Sequence, residues 1–261
     1  MSRGNVLFLI LLAVALFAVL SYAVTQSSRS SGKSVSDEAA SLHAAQITQY
    51  ATNLEQVVSR LRLVNSCRDT QISFAADSDN DGSWYDTDDD YHNAYAPDDF
   101  SCHVFHPNGG NLQPLDIPED WLDTNQSALA NYQALFFTGD SCIAKVGTGS
   151  INCAVDGTSA SEELIMVLPY LREDICRVLS EKLYTQGSSS DIAIDSSDSY
   201  EVTALFTGTY NNARAISNAA SSEGDNSRSL DGKHSACYQA GPSGNNPQAG
   251  TYHYFHVLIP R

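Results

Sequence analysis

Apolar and polar residues alternate along this chain in blocks of very different period. Residues 5–24, NVLFLILLAVALFAVLSYAV, are almost continuously apolar. Such a run supplies roughly the ~20 residues that a hydrocarbon core demands, so it predicts a transmembrane helix. Residues 1–4, MSRG, precede it as a short basic leader, and the Gly/Ser-rich residues 25–36 read as a polar neck. Over 37–66 the period becomes helical, with Ile47, Tyr50, Leu54, Val57, Val58, Leu61 and Val64 on one stripe and Ser36 or Asp37 as the cap. Beyond Cys67 the pattern is irregular. Short strands are expected at Ile72–Ala75 and Cys102–His106, and two more around the Gly-Thr-Gly of residues 142–155. From Glu162, Leu164, Leu168, Leu171, Ile175, Val178 or Leu179, and Leu183 again fall at helical steps. A second helix is therefore expected, broken at Pro169, which opens its main part, and stopped near Gly187. A tiny strand within 186–200, a strand at 201–210, mostly loop over 217–250, and a closing strand at 251–259 complete the expectation. The fold class that follows is α+β. An N-terminal transmembrane and long amphipathic helix leads to a disulfide-stabilised globular head, residues 67–261, with a small antiparallel sheet and a second helix.

Charge narrows the partners. With 14 basic and 31 acidic residues the formal charge is −17, which repels nucleic acid and anionic membrane surfaces alike. Six cysteines in a chain with an export-type N-terminus point to disulfides in an oxidising compartment. Proximity favours Cys142 with Cys153, which leaves Cys67 with Cys102 and Cys176 with Cys237. The N-terminal segment itself has three readings: a signal cleaved after Ala23, an uncleaved anchor, or a short-leader segment processed after Gly4, leaving Asn5 first. The expected place is an inner-membrane anchor with a periplasmic or extracellular head, or a cell-surface filament.

The strongest chemical motif is DSDNDGSWYDTD, residues 77–88, in a stretch from Thr70 to Ala144 without Lys or Arg. Asp77, Asp79, Asp81, the Ser83 carbonyl, Tyr85 and Asp88 fall at positions 1, 3, 5, 7, 9 and 12 of a calcium loop, with Gly82 at position 6. Asp88 replaces the usual glutamate, and Asp86, Asp89 and Asp90 offer further oxygens. Calcium (Ca2+) is accordingly the expected cofactor. Zinc at Cys102-His103-x-x-His106, or at His253 and His256, lacks a convincing fourth ligand. No hydrolase elbow, zinc-protease or phosphate-loop motif occurs, so no catalytic residue and no small-molecule substrate are inferred. Trp84, Tyr85, Tyr91 and Tyr95 interleave with the acids and either face a carbohydrate or pack internally.

A basic leader ending in Gly4, an apolar helix, a long amphipathic helix and a disulfide-bearing head together resemble the type IV pilin-like superfamily, which includes minor pilins and type II secretion pseudopilins. The resemblance implies cleavage between Gly4 and Asn5, a membrane-inserted precursor, and packing against pilin-like subunits in a filament. The family places glutamate five residues after the cut, where this chain has Leu9. That departure implies a minor subunit rather than the main repeating one. The calcium loop resembles the dockerin and EF-hand type. The reading that competes with a non-enzymatic pilin-like assembly protein is a membrane-anchored or secreted calcium-binding adhesion module.

Overall fold

The structure, a computed structural model, describes residues 4–77, 84, 91–147, 153, 162–183, 192–195, 199–201, 203–211, 214–216, 230–241 and 247–261. The chain divides into two compact units, Met1–Leu42 and His43–Arg261.

Helix α1 runs without interruption over Gly4–Leu63, through the stretch expected to form a polar neck. In its first unit the described side chains from Phe8 to Tyr22 are largely apolar and exposed. In the second unit α1 buries Ala44, Ile47, Ala51, Leu54, Val58 and Leu61, alternating steps of three and four residues that keep one stripe turned inward. Arg60 and Arg62 lie in the last turn, where cations suit the negative end of the helix dipole.

The head is built on one six-stranded sheet. Its strands are β1 (Phe136–Ile143), β2 (Glu163–Leu171), β3 (Ala193–Asp195), β4 (Arg214–Ile216), β5 (Ser235–Ala240) and β6 (Tyr252–Ile259). They lie in the order β3-β5-β6-β2-β1-β4. The four central strands pair antiparallel, and the short edge strands β3 and β4 join in parallel. β2 and β6 read as nearly unbroken apolar runs because both of their faces are covered.

Alternation assigns the faces. Cys237 on β5 lies opposite Tyr254 on β6, so both point the same way, as does His256 two residues on. Cys237 is bonded to Cys176 of helix α2 (Glu173–Leu183), and His256 meets Glu55 of α1 at 2.8 Å. Both helices therefore cover one face of the sheet. The other face carries a cluster of Phe136, Ile165, Val167, Tyr238, Phe255 and Val257, closed by Ala193, Tyr200 and Leu230.

Several expectations change here. The α+β fold with a small antiparallel sheet is replaced by a larger, mixed sheet. The transmembrane and amphipathic helices are one helix whose polar and apolar positions are not segregated along its whole length. Among the described residues no helix is long and apolar enough to cross a membrane. Residues 163–171, expected as helix, form β2, and α2 begins only at Glu173, four residues after Pro169. Tyr170, at φ 58°, breaks the β2 ladder between Leu168 and Leu171. The expected strands at 72–75 and 102–106 reduce to a single bridge between Ser73 and His103. The strand expected at 201–210 is absent among its described residues, while β5 forms within 217–250, where mostly loop was expected, and β4 forms just before that stretch. The helix stop at Gly187 lies outside the described residues, as does all but Cys153 of the second strand expected after the Gly-Thr-Gly turn within 142–155.

Candidate functional site

Among the described side chains from Phe8 to Tyr22, nine large apolar ones, including Leu11, Val14 and Phe17, are 48–73% exposed. Stepping 100° per residue, they point to every side of the helix rather than along one stripe. Water is a poor environment for such a surface, since each large side chain gains about 1.5–3 kcal/mol on full burial. Gly4 and Asn5 form the start of this helix.

The acidic loop begins and ends on an aromatic platform. Phe74 is fully buried and stacks on Phe137 at 4.0 Å, while Phe105 and Phe206 approach it at 6.5 and 6.2 Å. Tyr91, beyond the far end of the loop, meets the same two rings edge-on. Its hydroxyl accepts the Phe137 N–H at 3.0 Å. Two backbone bonds, Ser73 N–H to the Cys102 carbonyl and Val104 N–H to the Ser73 carbonyl, pin the entry segment. Asn93 secures it again by donating to the carbonyls of Thr70 and Ile72. Of the expected calcium ligands, Asp77 is described and half-buried just past Ala75. Asp79, Asp81, Ser83, Tyr85 and Asp88, with Asp86, Asp89 and Asp90, lie outside the described residues. Elsewhere among the described residues no group of three or more His, Cys, Asp or Glu side chains is placed to hold a metal.

All six cysteines are paired, as Cys67–Cys102, Cys142–Cys153 and Cys176–Cys237. The first ties the end of α1 to the segment supporting the acidic loop, and the third ties α2 to β5. Cys102 is thus committed to a disulfide, and its thiolate is not available to zinc. His103 is buried beside Phe100, and burial lowers its pKa to about 4. His106 stacks on Phe100 at 4.3 Å and meets Trp84 edge-on at 4.7 Å. His253 and His256 leave β6 on opposite faces and share no site. His253 is held between the Tyr200 hydroxyl at 3.0 Å and the Thr251 hydroxyl at 2.6 Å, and burial depresses its pKa to about 3. Of the aromatics interleaved with the acids, Tyr91 packs internally, Trp84 lies on His106 and Tyr95 is exposed. Tyr85 is outside the described residues.

One charged group had no signal in the sequence. Asp140, Glu162 and Glu163 are buried around the end of the sheet. Glu163 Oε2 accepts the Ile143 N–H at 2.7 Å, yet burial raises its pKa to about 8, and Asp140 is raised to about 6 for the same reason. Arg261 approaches from the C-terminus. Its Nη1 is 3.8 Å from Glu162, its Nε is 3.2 Å from Asp69, and its guanidinium lies 3.9 Å over the Tyr210 ring. Arg261 is thereby held against Glu162 and Asp69 while Arg214 acts on Asp140, and only the tertiary fold brings these acids together.

Comparison of the chain with protein families, with curated proteins and with solved structures yields no match.

Proposed function

We propose that this chain is a non-enzymatic, pilin-like assembly subunit, in which the first part of α1 packs against the same segment of neighbouring copies and the disulfide-bonded head remains in solvent. The observation that carries the reading is the ring of exposed apolar side chains from Phe8 to Tyr22. An all-round apolar helix needs cover on every side, and a bundle of identical helices provides it. Chains of formal charge −17 oppose close approach, so the apolar segment must supply the attraction, helped by salt. The short basic leader before Asn5 supports the same reading. In it, calcium bound by Asp77, Asp79, Asp81, the Ser83 carbonyl, Tyr85 and Asp88 stiffens the head. The pinning of residues 72–75 and Tyr91 on one aromatic platform favours such a loop, because both of its ends are held before the ion arrives.

Mass spectrometry of the native chain, with electron microscopy of the assembled material, tests the proposal. The expected mature N-terminus is Asn5, and the expected product is a filament that Leu11→Asp with Phe17→Asp no longer enters. A native chain beginning at Val24, or one that keeps the segment and stays monomeric at high concentration, overturns it.

A further inference from the structure

The head carries a cleft of about 380 Å³ between α1 and the loop that leads into β1, within the size range of small-molecule sites. One wall is a face of α1. Gln46, Gln49 and Asn53 stand at steps of three and four residues, so their exposed side-chain amides line up along one direction. Tyr50, half-buried beside them, donates its hydroxyl to the Gln113 carbonyl at 3.2 Å, which fixes its ring against the opposite segment. The other wall carries Asp116 and Pro118. The floor is Trp121, only 4% exposed, held by its N–H to the Pro118 carbonyl at 3.1 Å and by the Arg172 N–H to its own carbonyl at 3.0 Å. Gln133 steadies the same wall by donating to the Ile117 carbonyl at 2.9 Å.

From this lining we infer that the cleft is a binding site for a neutral saccharide. Amide side chains both donate and accept, as the hydroxyls of a sugar do, and a carboxylate such as Asp116 can accept from two neighbouring hydroxyls at once. Pro118, Tyr50 and Leu115 offer apolar surface for the C–H face of a pyranose ring. No Lys or Arg lines the cleft, and Asp116 repels anions, so phosphorylated, sulfated and sialylated ligands are disfavoured. A peptide is less well served, because the walls are a helix face and a loop and offer no free strand edge and no deep apolar pocket. The lining contains one carboxylate, whereas glycosidic cleavage ordinarily needs a pair, so the site binds and does not hydrolyse. This inference concerns the head and does not depend on filament assembly.

The test is an array of oligosaccharides followed by calorimetry on the full-length chain, kept soluble in a detergent without a sugar headgroup. Neutral oligosaccharides of hexose and N-acetylhexosamine units are the probes, with sialylated and sulfated glycans and a mixed peptide library as opposing arms. Retention of a neutral glycan, weakened at least tenfold in Gln49→Ala with Asn53→Ala, is the expected result. Asp116→Asn, an exposed change that leaves the helix untouched, is expected to weaken the same glycan and guards against misfolding of the double variant. The inference is overturned by retention of no neutral glycan, by preference for anionic glycans or peptides, or by binding that all these substitutions leave unchanged.

Discussion

Glu163 holds a proton that its place on β2 makes hard to lose. Its pKa of about 8 in the folded chain stands above the ordinary 4.5, so the stability it contributes is complete below about pH 4.5 and is lost as the pH rises through 8. His103 and His253, with pKa values depressed to about 4 and 3, act in the opposite sense. They cost stability as the pH falls below 6.5 and are neutral above it. Between pH 6.5 and 8 the carboxyl therefore dominates. The melting temperature is expected to fall across that window, and Glu163→Gln, which keeps an acceptor for the Ile143 N–H, is expected to flatten the decline. An unchanged slope in the variant would assign the effect elsewhere. Gly147 is a second exacting residue. At φ 64° it lies so close to Arg261 that an added Cβ would come within 1.8 Å of the Arg261 carbonyl oxygen. Gly147→Ala should cost about 1–3 kcal/mol in urea denaturation, from the strained backbone alone and more if Arg261 is displaced. Nothing in the local sequence marks Arg261 as the partner.

Among the elements, α1 shows where periodicity works and where it stops. Ile47, Leu54, Val58 and Leu61 are buried as their spacing predicts, but Val64 is 72% exposed because the helix ends at Leu63. The stripe is completed by Ala44 and Ala51, which are fully buried but too small to stand out in a hydrophobicity pattern. Leu54→Ala is expected to destabilise the head by about 2–5 kcal/mol, read as a shift of the denaturation midpoint. β2 marks the opposite case. Its sequence ELIMVLPYL satisfies a helical period and a fully buried strand equally well, and the packing of β1 and β6 on either side settles it. α2 is tethered to β5 by Cys176–Cys237, across 61 residues of sequence. Cys176→Ser with Cys237→Ser should lower stability by about 2–5 kcal/mol and leave the other two disulfides intact by non-reducing peptide mapping.

For the whole molecule, the central physical problem is a strongly acidic chain with a cation-free stretch from Thr70 to Ala144. If calcium relieves the repulsion in residues 77–88, a chelator lowers the melting temperature and calcium restores it. Asp77→Ala with Asp81→Ala should abolish that response, and identical curves with and without chelator would remove the ion from the account. The sequence by itself determined the long apolar and helical N-terminal stretch, the calcium-loop spacing, the closing strand β6 and the polarity of the head, because each is a local pattern of neighbouring residues. Tertiary structure alone decided that 163–171 is a strand, that β4 and β5 extend the sheet, that Asp140, Glu162 and Glu163 are buried near Arg261, and that Gln46, Gln49 and Asn53 face Asp116 across a cleft. Each of those depends on contacts between residues far apart in the chain, whose free energies no local period encodes.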